Sequence, residues 1–444
     1  MRCDQHACFI SYSQMQLFLF LITVIATIAQ AISFRRLFNY VEQELKLTPT
    51  SYLPKVSVIL PCKGLDQGFA ENIRKLLKQD YIDKTTGQTK FEVIFAVAEQ
   101  TDPAYSVLKE ICDTSDHVKT QLIVAGIDSR RAQKVNNQLV ALKNVSRDTE
   151  VFVFVDSDVI ARDDFLRYLV CHLQDSKVGA TTGYRFYIPF GSGLLSLVRA
   201  IWNRMSAWEM ANPGYSFAWG GAMAITKENF EKARVYQSWD RSCDDDLALT
   251  TAVKDLGLDV RFVPQCLVFT QGDGSASEII EWTNRQLILT KVYYPKLWRK
   301  AIYRAVILTA WLLCVLAAAM LTGVNPSPSN GQTLLTGLML IPIEFLFLLK
   351  AQNLWRRVLL ADASETKATP ALNSQAQKTA ADEAQSELAA LSKAYDDSFW
   401  KFTLALPLAH LILPWMTLYS IITNRIRWRG INYELKSPTE TVTI

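Results

Sequence analysis

The stretch that most constrains this chain is Val151-Phe152-Val153-Phe154-Val155-Asp156-Ser157-Asp158-Val159. An unbroken run of β-branched and aromatic residues reads as a strand buried on both faces, as in a parallel sheet. The run ends in two carboxylates at i and i+2, which point the same way while the backbone stays extended. In an open α/β sheet, ligands gather beyond the carboxyl ends of the strands. Two carboxylates there can hold a hard divalent cation, which takes oxygen ligands and often bridges to phosphates. An Asp-rich turn after a strand is the plainer reading. The rest of the chain decides between them.

Val56–Leu60, Phe91–Ala98 and Gln121–Ala125 read as further strands, and Asn72–Gln79 and Arg130–Leu142 as helices between them. Strands alternating with helices predict an α/β, Rossmann-like sheet. Neither GxGxxG nor a P-loop motif is present, which disfavours a dehydrogenase and a P-loop kinase. After Thr181 the order changes. Leu194–Met210 reads as a helix, and the glycines of Phe217–Ala222 allow close approach of backbone to a ligand. Asp244-Asp245-Asp246 opens a helical pattern that Gly257 is placed to end. One carboxylate suffices to cap a helix. Three crowded together repel, which raises at least one pKa toward that of a general base. Val260–Val263 and Leu267–Phe269 read as two more strands, and Ser275–Tyr293 as an amphipathic helix carrying Trp282, Arg285 and Gln286.

Half of the 444 residues are hydrophobic, and the long apolar runs sit toward the two ends. Met15–Phe34 is about the ~20 residues needed to cross a bilayer, and reads as an anchor rather than a signal peptide. Arg35 and Arg36 then hold that end in the cytoplasm. Val41–Tyr52 is expected to be a polar tether. Ala301–Gly323 and Leu334–Leu349 are further spans, and Glu344 in the second should face protein or water. Phe402–Ile422 contains Pro407 and Pro414: as a fourth span it puts the C-terminus outside, against Arg425, Arg427 and Arg429, whereas as a re-entrant or interfacial segment, the reading the two prolines favour, it keeps the C-terminus inside. The expected divisions are an anchor over 1–40, a catalytic-type domain over 53–298, and a membrane region over 299–444 with a polar segment around 351–398. A net charge of only +4 makes no case for nucleic acid. Eight cysteines without a CxxC pair suggest neither a zinc ribbon nor a disulfide framework. Four histidines make a His-rich metal site a poor expectation.

Taken together, the acidic clusters and their spacing resemble the inverting nucleotide-sugar glycosyltransferases of family 2, and most closely their ceramide glucosyltransferase relatives (family 21), over Lys55 to Tyr294. The resemblance implies a GT-A fold, a Rossmann-like mixed and mostly parallel sheet, here with N- and C-terminal transmembrane helices. It implies a UDP-sugar donor, a Mn or Mg ion, and a lipid acceptor such as ceramide or a diacylglycerol. The enzyme would be an integral membrane protein with its catalytic domain on the cytoplasmic face.

Residue by residue, Pro61 and Lys63 fall in the family's nucleotide-binding loop. Glu99 stands where the family usually has an Asp near the uracil or ribose. Asp102-Pro103-Ala104 matches the ceramide branch, and Lys134 and Asn137 match its Lys-x-Asn-Asn beside the donor diphosphate. Asp156 and Asp158 match the metal-binding DxD. Asp245-Asp246 resembles the Glu-Asp pair, with Asp246 as catalytic base and Asp245 beside it. Trp219, Gly220, Trp282, Arg285 and Gln286 are expected at the acceptor or interfacial helix. The family pattern closes with (Q/R)xxRW. Arg285 fits its first position, but Ile288 and Leu289 stand where Arg-Trp belongs. A processive polysaccharide synthase is the rival enzyme, and a non-catalytic membrane scaffold on the same fold is the rival from another class. A glycoside hydrolase, which also uses two carboxylates, is disfavoured by the parallel pattern and the DxD.

Overall fold

The computed structural model describes residues 12–189, 191, 193–366 and 375–444. His6 and part of the predicted polar segment lie outside them. The chain begins with α1 (Tyr12–Glu44), then alternates β1 (Val56–Pro61), α2 (Phe69–Leu77), β2 (Phe91–Val97), α3 (Pro103–Thr114), β3 (Lys119–Val124), α4 (Gln133–Leu142) and β4 (Val151–Val155). Next come α5 (Phe165–Cys171), β5 (Val178–Ile188), α6 (Leu194–Ser206), β6 (Ala222–Thr226), α7 (Lys227–Lys232), α8 (Val235–Trp239), α9 (Asp246–Asp255), β7 (Asp259–Gln271) and α10 (Ala276–Tyr293). Four further helices follow: α11 (Pro295–Val324), α12 (Pro328–Leu338), α13 (Leu340–Thr366) and α14 (Gln375–Ile422). Three short strands, β8 (Arg425–Trp428), β9 (Ile431–Ser437) and β10 (Glu440–Thr443), end the sequence.

The main sheet has the order β3-β2-β1-β4-β6-β5-β7. All its pairings are parallel except those of β6, which runs against both β4 and β5. This is the mixed, mostly parallel α/β sheet of the GT-A expectation. β1, β2 and β4 are buried almost throughout, which is why they read as unbroken apolar runs. The chain leaves β1 toward β2 on one side, while β4 lies on the other. The crevice between the ends of β1 and β4 is therefore the switch point where ligands bind in such sheets.

Two expectations about strands need correcting. β5 and β6 were not foreseen as strands. β7 is one strand, not two, and its pairing with β5 shifts register between Thr182 and Tyr184. At that shift a Cβ on Gly183 would sit 2.3 Å from the Cys266 carbonyl, so only glycine fits.

Helix α1 does not stop at Phe34. It continues to Glu44, so the expected tether is helical at its start. Leu37 and Val41 are fully buried against Phe186, Phe262 and Trp355, which gives this last stretch a reason to stay helical. Glu44 finishes the attachment. Its carboxylate takes hydrogen bonds from Arg261 Nη2 at 2.6 Å and meets His172 Nε2 at 2.8 Å.

Four helical stretches, Ser13–Glu44, Pro295–Val324, Pro328–Ala361 and Ala389–Ile422, are long and apolar enough to cross a membrane. Glu344 accepts a hydrogen bond from Gln30 Nε2 at 2.9 Å, so it faces protein as expected. Helix α14 runs unbroken through Pro407 and Pro414. Its contacts are spread along its length. Lys401 Nζ donates to Gly191 O, Trp202 Nε1 donates to Ala409 O, and Trp298 Nε1 donates to Ser420 Oγ. A helix that meets Gly191, Trp202 and Trp298 at 401, 409 and 420 has its contacts spread over about 30 Å at 1.5 Å per residue. The strands after it pack back on α10.

Candidate active site

At the end of β4 the backbone leaves the sheet at Asp156. Its carboxylate meets Lys134 Nζ at 2.9 Å. The same ammonium reaches Asp245 Oδ2 at 3.0 Å and donates to Gly220 O at 3.2 Å. Three acceptors match the three hydrogens of a lysine. Burial alone would push the Lys134 ammonium down, but Asp156 and Asp245 outweigh it and hold it charged. Lys134 thus ties three segments together: the DxD turn, the Trp219–Gly221 turn and the start of α9. A Cβ on Gly220 would lie 2.7 Å from Lys134 Nζ and 2.8 Å from Asp245 Oδ2, so any other residue there would push this ion pair out of place.

Asp158 is gripped by Arg185 of β5 in a two-bond fork, Nη1 to Oδ2 at 2.7 Å and Nη2 to Oδ1 at 2.5 Å. The Arg185 guanidinium also lies 5.0 Å from the centre of the Trp219 ring. Burial would raise the Asp158 carboxyl, but Arg185 holds it below its usual range. Asp156 goes the other way. Burial raises its carboxyl and Asp158 adds to the rise, with Lys134 only partly offsetting them. Two carboxylates at the end of β4 are an all-oxygen donor pair that fits a hard divalent cation. Among the described residues no third carboxylate, His or Cys closes a cage around them, so other ligands would have to come from substrate.

The three consecutive aspartates divide their labour. Asp244 is the cap of α9, its Oδ1 accepting from Leu247 N at 2.7 Å and Ala248 N at 3.4 Å. Asp245 is held by Gln138 Nε2 at 2.8 Å and by Lys134. Asp246 is half-buried and its Oδ2 accepts the Gly220 N–H at 2.7 Å. Burial, then Asp245, push its carboxyl up to about 6 against the pull of Lys134. A carboxylate with that pKa is a usable general base near neutrality.

Two cavities meet here. One of about 430 Å³ is polar and contains Lys63, Lys134, Asp156, Asp158 and the aspartates of α9. The other, about 310 Å³, is mostly apolar and runs between α6, α10, α11 and α14, past Trp202, Met205, Leu287, Leu297 and Leu413. Asp246, Arg185, Tyr187, Trp219, Trp282 and Gln286 border both.

The structure brings together Pro61, Lys63, Lys134, Asn137, Asp156, Asp158, Trp219, Gly220, Asp245, Asp246, Trp282, Arg285 and Gln286 around the polar cavity. Asn137 turns its amide to Ala96 O, which fixes α4 to the end of β2. Glu99 is not brought in. It is exposed and does not line the cavity. The nearby carboxylate that engages the loop after β1 is Asp102, which caps α3 through Ala104 N at 2.9 Å and accepts from Gly64 N at 2.9 Å.

Several functional candidates were not legible in advance: Asp66, Arg185, Trp428, Arg429 and Tyr433. The last three come from the C-terminal sheet. Its seat is Ile288 and Leu289, which pack with Ile426, Tyr433 and Leu435. The two apolar residues that stand in place of Arg-Trp are thus the floor under a ribbon that brings its own Trp428-Arg429 to the cavity. The Arg285 guanidinium lies 5.6 Å from the Trp428 ring centre.

The model of glycosyl transferase family 21 matches residues 18–441. The chain belongs to glycosyl transferase family 21. It is a glycosyltransferase, and its match extends through the long apolar helices and most of the C-terminal ribbon as well as the sheet. Among solved structures it is similar to a mannosyltransferase from Pyrobaculum calidifontis determined with GDP-mannose and Mn2+. That likeness has 20% identity and a TM-score of 0.44, covering 89% of this chain and 99% of the other.

Proposed function

We propose that this family 21 enzyme moves a hexose from a UDP-sugar to a hydroxyl of a membrane lipid such as ceramide or a diacylglycerol, with inversion at the anomeric carbon. The observation that carries this is the shared border of the two cavities. A polar cavity rich in carboxylates and cations suits a nucleoside diphosphate, an apolar one reaching among the membrane helices suits a lipid chain, and Asp246 touches both.

The Asp246 carboxylate takes the proton of the acceptor hydroxyl as that oxygen bonds to the anomeric carbon. The bond from that carbon to the donor diphosphate breaks on the opposite face. One displacement inverts the centre, and no covalent nucleophile is needed. The Gly220 N–H keeps the carboxylate aimed. Lys134, paired with Asp245, partly offsets the rise that burial and Asp245 give the Asp246 carboxyl. Asp156 and Asp158 would hold a divalent ion, which when bound would supply positive charge beside the leaving diphosphate. Arg35 and Arg36 at the catalytic-domain end of the first span favour a cytoplasmic face for this chemistry.

The test uses purified protein in detergent with Mn or Mg and a panel of nucleotide sugars. UDP release is counted with ceramide, with diacylglycerol and with neither. Release that rises with one lipid and needs the metal supports the proposal. Polymer as product would favour a synthase, and no release with any donor would leave the scaffold reading.

A further inference from the structure

The hairpin between β8 and β9 turns on two residues, Arg429 and Gly430, with φ of 49° and 82°. Two-residue hairpin turns with both φ values positive favour Asn or Gly at the first position. An arginine there is held in a backbone region that long side chains rarely adopt, and such outliers gather at functional sites.

What the side chain does is specific. Its guanidinium makes a two-pronged pair with Asp66 in the loop after β1, Nη1 to Oδ1 at 3.1 Å and Nη2 to Oδ2 at 3.2 Å. Its own carbonyl accepts from Lys63 Nζ at 2.9 Å. Asp66 Oδ2 in turn accepts from Ser157 Oγ, between the two DxD carboxylates, at 3.3 Å. Half of the Arg429 side chain is exposed, so it is not locked in a core. The ribbon behind it is locked. Tyr433 and Leu435 are buried, Gln133 N donates to Tyr433 Oη at 3.4 Å, and Thr443 Oγ1 donates to Ser129 O at 3.1 Å. A well-packed ribbon therefore carries a half-exposed guanidinium to the lining of the polar cavity.

We infer that Arg429 is a donor-binding residue that Asp66 holds in reserve: when a nucleoside diphosphate enters the polar cavity, the guanidinium leaves Asp66 and binds the diphosphate. This rests on the nucleotide-sugar reading of that cavity. A planar guanidinium that forks onto a carboxylate forks equally onto phosphate oxygens. A diphosphate offers more charge than one aspartate. Of the cations that line the cavity, Lys134 is paired with Asp156 and Asp245 and Arg185 with Asp158, both within the lining, whereas Arg429 is paired with Asp66, which lies outside it.

The inference makes two variants of the same ion pair behave oppositely. Arg429→Gly suits the turn, so the fold is retained. It is expected to weaken UDP binding and raise the donor KM about tenfold, with kcat nearly unchanged. Arg429→Lys should recover only part of the loss. Asp66→Asn frees the arginine and is expected to tighten UDP about two- to fivefold. The measurement is UDP titration of the full-length protein in detergent by calorimetry, with donor KM and kcat alongside. If both variants weaken UDP equally, the pair is only a clasp and the inference is wrong. UDP affinity unchanged in Arg429→Gly also overturns it, while leaving the donor reading intact. A wild type that binds no nucleoside diphosphate overturns both.

Discussion

The two cavities that meet at Asp246 are stabilised in opposite ways. The polar one is a lattice of ion pairs in which Asp156, Asp158 and Asp245 each have a cation within 3.0 Å. The apolar one is lined mainly by side chains of α6, α10, α11 and α14, with charged groups, such as the Glu209–Lys300 pair at 2.6 Å, among its lining. Strong, directional pairs fix atoms in place. Apolar contacts fix only a shape. The comparison teaches that one cavity is fixed atom by atom and the other only in outline, with Asp246 as the carboxylate that borders both.

That contrast can be broken most severely at the seam. Asp246→Asn keeps the Gly220 contact but cannot take a proton, and should lower kcat about 10³-fold, within the range for loss of a general base. Donor KM should change little, as read by UDP release at varied donor.

The next largest effect tests the lattice. Lys134→Met leaves Asp156 and Asp245 without their cation, and should destabilise the catalytic domain by about 3 kcal/mol in chemical unfolding. Lys134 also opposes the rise in the Asp246 pKa. Any remaining activity should therefore fail at a higher pH than in the wild type.

The wild-type pH profile sharpens the same point. A base whose pKa is raised to about 6 is protonated, and idle, below that value. The expected kcat/KM falls about tenfold per pH unit as pH drops below 6 and is flat above it. An acid limb near 4 instead would mean that Asp246 is not the titrating base.

The smallest effect lies on the apolar side. Leu413→Ala removes part of the lining, and should raise acceptor KM severalfold, about 1 kcal/mol. Donor KM should not move. A change in donor KM instead would show that the two cavities are not separate in function.

Much of the donor side was readable because it depends on short spans of chain. β1, β2 and β4 are fully buried runs, and their apolar composition announces them. The DxD and the aspartates of α9 are local motifs. β5 was hidden because Gly179, Gly183 and Arg185 interrupt its pattern. The structure explains each: a Cβ on Gly179 would lie 2.4 Å from Val253, Gly183 sits at the register shift, and Arg185 serves Asp158. β7 looked like two strands because Pro264 and Gln265 divide it, yet the strand runs on. Glu99 was favoured because it is acidic at a strand end, but the loop contact is made three residues later by Asp102. The ribbon carried a usable signal in Arg429-Gly430 between alternating apolar residues. Its importance could not be read there, because that depends on contacts with Lys63 and Asp66, more than 350 positions away in sequence.

That separation has a consequence for how the enzyme is made. Lys63, Asp156 and Asp246 leave the ribosome well before the residues that roof them. A growing chain therefore holds its catalytic carboxylates long before it holds Trp428 and Arg429. The apolar helices α11 to α14 are made before the ribbon, which follows them and sits on α10. The polar cavity thus gains its last lining residues only after every one of those helices has been synthesised.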